Sequence, residues 1–96
     1  MTSAYVIGHI TVLDEAKWAD YRRQVPATLA PWGGELVFRG TLAAVLDGRH
    51  PHRDTVVIRF PDPAALAAWH ASPAYQALIP LRQQAATIDL LAFDSD

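Results

Sequence analysis

Histidine, arginine, tyrosine and serine are the side chains through which this chain can act on a small molecule, since the sequence has no cysteine. His9 sits in the middle of a β-branched run, where a neutral imidazole can serve as a general base near neutral pH. The alternative is a hydrogen-bonded histidine at a covered face. Strict alternation puts Arg39 and Arg59 on the same side as His9. There they could hold a carboxylate or enolate through charge-assisted hydrogen bonds, or pair with Glu35 and Asp89 as buried ions do. Tyr75 and Arg82 are seven apart and share a helix face. Leu78 and Ile79 lie between them, so that face packs inward and Arg82 needs an acceptor. The pair either walls a cavity or props the fold. Ser72, directly before Pro73, is most simply a helix cap.

The remaining candidates are weaker. His50-Pro51-His52 with Asp47 and Asp54 could bind a divalent cation, but the spacing matches no strong metal signature, so the expectation is a solvated loop and no metal. His70 beside Trp69 reads as a partly exposed helix residue. Iron ligation through His9 or His70 is a distant possibility, and no cofactor is expected. Ser3 and Ser95 are terminal, which leaves no support for a catalytic serine triad. Gly33-Gly34 precedes a strand, not a helix, so it is no phosphate cradle.

These residues need elements to hold them. Tyr5 to Val12 reads as a strand. Asp14 caps a helix carrying Trp18, Tyr21 and Val25 at helical spacing, which Pro26 should end or kink. After the turn signal Pro31-Trp32-Gly33-Gly34, a second strand runs from Glu35 to Arg39 and stops or bulges at Gly40. Leu42 to Leu46 continues or bends away, and Asp47 to Arg53 is a polar loop. Asp54 to Phe60 is the third strand. Asp62-Pro63 and Ser72-Pro73 each start a helix, Pro80 predicts a further kink or break, and Thr87 to Phe93 is the last strand. Asp94 to Asp96 should fray. The order β-α-β-β-α-β is the ferredoxin-like unit, an α+β fold with a four-stranded antiparallel sheet and helices on one face.

Alternation sorts the strands into two faces. Val6, Gly8, Ile10, Val12, Leu36, Phe38, Val56, Ile58, Phe60, Ile88, Leu90 and Ala92 form a set without a polar side chain, which must lie under the helices. The other set mixes Tyr5, Ile7, Val37, Val57, Leu91 and Phe93 with His9, Thr11, Glu35, Arg39, Thr55, Arg59, Thr87 and Asp89. So wide an apolar area is seldom left bare on a small domain. A second copy packed sheet to sheet would cover it and enclose a polar cavity.

Composition sets bounds without choosing a reaction. A chain of 96 residues reads as a single domain, 1–96, with 51% hydrophobic and 19% charged residues, so it folds rather than staying disordered. The formal net charge of −2 argues against non-specific nucleic-acid binding. No apolar run reaches the roughly 18–20 residues that span a bilayer. The opening Met1-Thr2-Ser3-Ala4-Tyr5 carries no basic leader, which leaves a soluble, cytoplasmic protein as the expectation.

Several segments together carry a family resemblance. Tyr5-Val6-Ile7-Gly8, Gly33 to Gly40, Arg53 to Pro61, and Trp69 to Gln76 followed by Arg82 resemble the DUF1330 family over nearly the whole chain. Ser72, Tyr75 and Arg82 match its Ser-Pro-x-Tyr…Arg pattern. Asp47-Gly48 departs from it, since the family more usually has Glu-Gly. The resemblance implies a dimeric α/β barrel, in which two ferredoxin-like sheets pack as a homodimer. That superfamily includes cofactor-independent monooxygenases, isomerases, lyases and haem enzymes, besides members without known catalysis, so fold does not settle function.

Two functions are therefore expected. One is a cofactor-independent enzyme moving a proton on a small carbonyl or carboxylate compound, with His9 and Tyr75 catalytic and Arg39, Ser72 and Arg82 binding substrate. The other is a non-catalytic module for small-ligand binding or dimerisation.

Overall fold

The β-branched runs pair as one antiparallel sheet. In a computed structural model, which describes residues 2–95, β1 (Ala4–Val12), β2 (Glu35–Thr41), β3 (Asp54–Phe60) and β4 (Ala86–Asp94) lie in the order β2-β3-β1-β4. Together with α1 (Glu15–Leu29), α2 (Pro63–Ala71), α3 (Pro73–Gln76) and α4 (Ile79–Ala85), this is the ferredoxin-like α+β fold. Backbone pairing continues past β4, where the Ser95 N–H donates to the Ser3 carbonyl at 2.8 Å. The expected fraying is thus absent at Asp94 and Ser95; Met1 and Asp96 lie outside the described residues. Among the described residues no helix is long and apolar enough to cross a membrane.

The caps act as their residue types dictate. Asp14 and Asp62 accept from the backbone N–H groups of Lys17 and Ala65 at 3.0 and 2.7 Å, satisfying donors that a helix start leaves unpaired. α1 does not end at Pro26. It runs on to Leu29, and the Ala30 N–H closes on the Pro26 carbonyl. Tertiary packing overrides the lost backbone bond: Val25, Thr28 and Leu29 are buried, and the Thr28 hydroxyl donates to the Val25 carbonyl while accepting from the Trp69 indole N–H. Gly33 then takes the left-handed conformation at φ 71°, and Gly34 runs so close to α1 that a Cβ would lie 2.8 Å from a Leu29 methyl. The segment after Ser72 breaks once, giving α3 and α4, with Pro80 in the first turn of α4.

The core lies between the helices and one sheet face. Val6, Ile10, Phe60, Trp69 and Tyr75 are its largest fully buried side chains. Burying each such group stabilises by roughly 1.5–3 kcal/mol before entropy is counted. The other face carries no helix of its own, and Phe38, Leu91 and Phe93 stand 43–50% exposed on it.

Strand β2 departs from simple alternation. Leu36 pairs with Ile58, but Phe38 pairs with Val57, so the register slips by one between them. An extra residue on one strand inverts the phase of everything after it. Phe38 therefore faces away from the helices and Arg39, opposite Val56, faces toward them. The sequence expectation for both residues is corrected.

Candidate functional site

The bulge separates the expected site into two. On the helix-free face, His9 pairs in register with Thr55 on β3 and Asp89 on β4. Arg39 stands on the opposite face, so His9 and Arg39 cannot act on one ligand within a chain.

His50 to Arg53, within the segment from Asp47 to Arg53 expected to be a solvated loop, fold back across the polar end of His9's face. His52 is 6% exposed. Its Nε2 lies 2.8 Å from Asp89 Oδ2 and its Nδ1 lies 2.9 Å from Thr11 Oγ1. A carboxylate only accepts, so Nε2 holds the proton, and in the neutral ring Nδ1 accepts from the Thr11 hydroxyl. His9 Nδ1 sits 3.2 Å from Thr55 Oγ1. His50 stacks edge-on against His9 at 4.7 Å and lies 5.9 Å from His52. Burial, then the neighbouring His50 and His52, lower the His9 pKa from its ordinary value, with Asp89 opposing. Among the described residues no group of three or more histidine, aspartate or glutamate side chains is arranged to hold a metal ion.

The second site lies under α1. Trp18, Tyr21 and Val25 face the sheet, and Arg39 rises between them and the β2 edge. A cleft of about 250 Å³ opens there, with Trp18, Arg22, Arg39, Glu15 and Asp54 among its lining residues. A separate void of about 20 Å³, bordered by Trp18, Tyr21, Arg39 and Trp69, shares Trp18 and Arg39 with that cleft. Partial burial and the adjacent Arg22 lower the Arg39 pKa, though arginine stays cationic at any physiological pH. Among the described residues no carboxylate pairs with Arg39.

Behind this groove, Arg82 finds the acceptor it needs. Its Nη1 donates to the Tyr75 hydroxyl at 2.8 Å, which in turn lies 2.9 Å from the Tyr21 hydroxyl. The Arg82 Nε is buried without a partner. Burial, then Tyr75, raise the Tyr21 pKa far above the ordinary phenol range. Tyr75 is 0% exposed, so it reaches the groove only through Tyr21. Ser72 is a buried cap. Its hydroxyl donates to the Trp69 carbonyl at 2.7 Å and accepts from the Tyr75 N–H at 3.3 Å, and it borders none of the groove. Arg59, on the His9 face, donates to the Ser3 hydroxyl at 3.0 Å.

Comparison with known proteins agrees with this architecture. The family model described as Domain of unknown function (DUF1330) matches residues 3–95. No curated protein matches the sequence significantly. Among solved structures, a protein of unknown function from Rhodopseudomonas palustris superposes with a TM-score of 0.78 at 17% identity, over 95% of this chain and 80% of that one. SnoaB, a cofactor-independent oxygenase from Streptomyces nogalater, gives 0.70 at 17% identity, over 100% of this chain and 95% of that one. A dimeric ferredoxin-like protein of unknown function from a Jannaschia species gives 0.64 at 13% identity, over 95% and 97%. At these identities the likeness shows the fold alone.

Proposed function

The chain belongs to the DUF1330 family, and within it we propose a homodimeric, cofactor-independent enzyme that binds a small carbonyl or carboxylate compound in the groove under α1. The observation that carries this reading is Arg39, which pairs with no carboxylate among the described residues and is set in a cleft of about 250 Å³ beside Trp18. A partly desolvated guanidinium offers two parallel donors to a carboxylate or enolate. Trp18 gives a flat apolar surface for the rest of the ligand. Asp54 and Glu15 border the same cleft and supply carboxylates able to take up a proton from a carbon beside the bound carbonyl. The likeness in fold to a cofactor-independent oxygenase is compatible with unaided chemistry in such a groove.

The dimer is supported by the helix-free face. Tyr5, Ile7, Phe38, Val57, Leu91 and Phe93 share it, and a bare patch of this kind is unusual on a small monomer. His9 then faces the second copy, not the groove. Its hydrogen bond to Thr55 supports the alternative role of a purely associating module for that face.

The test is a thermal-shift and calorimetric screen of small aliphatic and aromatic carboxylates on wild type and Arg39→Gln. Binding weakened by about 1.5–3 kcal/mol in the variant is the expected outcome, the usual worth of a charged hydrogen bond. Deuterium uptake beside the carbonyl of a bound keto acid, read by NMR, separates catalysis from binding. Equal binding by both proteins, or no binding by either, overturns the reading.

A further inference from the structure

The direction of the buried hydroxyl chain follows from counting protons. A guanidinium only donates, so the Arg82 contact fixes the Tyr75 oxygen as an acceptor. Tyr75 is fully buried and packed against the rings of Trp69 and His70. Its own proton still needs an acceptor, because an unmet buried donor costs about 1–3 kcal/mol. Among the described residues the Tyr21 oxygen is the acceptor within reach, at 2.9 Å. The chain therefore runs from Arg82 through Tyr75 to Tyr21, and the Tyr21 proton is left without a protein acceptor. Tyr21 borders the small void beside Arg39.

We propose that the Tyr21 hydroxyl is the ligand-facing donor of this groove, and that with Arg39 it receives one oxygen of a flat phenolate, enolate or carboxylate. This rests on the groove being the binding site. The shape selects the class. A void of about 20 Å³ is close to the smallest space that holds one water. It admits an oxygen tip and excludes a phosphate or sulfate head, and the cleft that shares Trp18 and Arg39 with it offers room for the body. The charge at the far end of the chain strengthens the last donor, because successive hydrogen bonds polarise one another. Tyr21 stays protonated across the physiological range, since burial and Tyr75 oppose its ionisation, so it never presents an anion to an anionic ligand. Tyr75 and Arg82 are positioning residues.

The probe is 4-nitrophenol, whose ionisation is visible by its colour. Bound to the wild-type protein, it should titrate at lower pH than when free, because the groove's donors favour the phenolate. Tyr21→Phe should reverse much of that shift and weaken phenolate binding roughly tenfold, the equivalent of one hydrogen bond to a charged group. Tyr75→Phe leaves the Tyr21 hydroxyl in place but cuts it from Arg82, and should give a smaller reversal. Arg39→Gln should lose most of the binding. Retention of the full shift by both tyrosine variants, with binding still lost in Arg39→Gln, overturns the role of Tyr21 and leaves the groove standing. Absence of binding to wild type, or binding indifferent to Arg39, overturns both. Should Tyr21→Phe not fold, the Tyr75→Phe titration decides alone: an unchanged shift overturns the relay.

Discussion

Arg39 stands opposite Val56 across the β2–β3 pair, and that register puts its guanidinium on the helix side of the sheet while His9 remains on the other. The β-bulge between Leu36 and Phe38 is thus what makes the groove under α1 cationic. It also hands the apolar ring of Phe38 to the opposite face, where the ring shields Gly40 so closely that a Cβ there would meet it at 2.9 Å.

The helix-free face should be tested first by charge. Leu91 is 43% exposed in the isolated chain, so Leu91→Arg should leave the fold of one chain intact. If a second copy covers it, the variant buries an unpaired cation and association weakens. Light scattering should give about twice the chain mass of 10.5 kDa for wild type and the single mass for the variant. A variant that remains dimeric would place the interface elsewhere.

His52 should anchor the loop before β3. Its two hydrogen bonds join that loop to β1 and β4. His52→Ala removes both and leaves the Thr11 hydroxyl and the Asp89 carboxylate short of partners. Water can reach the exposed Asp89 carboxylate, so a loss of about 1 kcal/mol is expected in urea melts, with increased protease cleavage between residues 42 and 53. An unchanged melt would return this loop to the solvated state.

Most of the fold was legible because strand and helix signals here agree with one another. Asp14, Asp62 and Ser72 cap as their types suggest, and the two Pro-started helices at Pro63 and Pro73 begin where the pattern puts them. The misses have physical causes. Leu36, Val37 and Phe38 are all apolar, so neither phase of alternation is excluded, and a bulge becomes free to choose. Three apolar residues in succession were the available warning, since one face cannot take all of them. His50 and His52 gave a second signal through loop length, because a connection of this size without structure is commonly functional. Nothing local to Tyr21 revealed its bond to Tyr75, which closes 54 residues along the chain. The helical spacing of Trp18, Tyr21 and Val25 marked only a packed face.

Acid should weaken the native state through His9. Its folded pKa is lowered by burial and by His50 and His52, so the unfolded chain binds the proton more readily. Stability contributed this way is complete above the ordinary histidine value of about 6.5 and is lost as pH falls below it, because stability rises with pH wherever the unfolded state holds more protons. Melting temperatures from pH 7.5 down to 5 should decline, and His9→Gln should flatten the decline. A variant with the same slope as wild type would remove His9 as the cause.

Replacing Pro26 should stabilise the chain. Pro26 lies inside α1, where it cannot donate to the Arg22 carbonyl and its ring crowds that group. Its side chain is exposed, so Pro26→Ala removes no core contact. The helix gains a backbone hydrogen bond and up to about 3 kcal/mol in propensity. Against this, alanine frees the unfolded backbone, which returns about 0.4–1 kcal/mol. A net gain of roughly 1–2 kcal/mol is expected in chemical melts. Pro26 also borders the outer groove beside Arg39, so the same variant carries a second readout. If α1 shifts when the proline is removed, the spacing between Arg39 and the helix changes and carboxylate affinity shifts with it. A variant that melts later and binds unchanged would show that Pro26 strains α1 without shaping the groove. One that melts earlier would mean that the conformation Pro26 gives α1 is what lets Val25 and Leu29 reach the core.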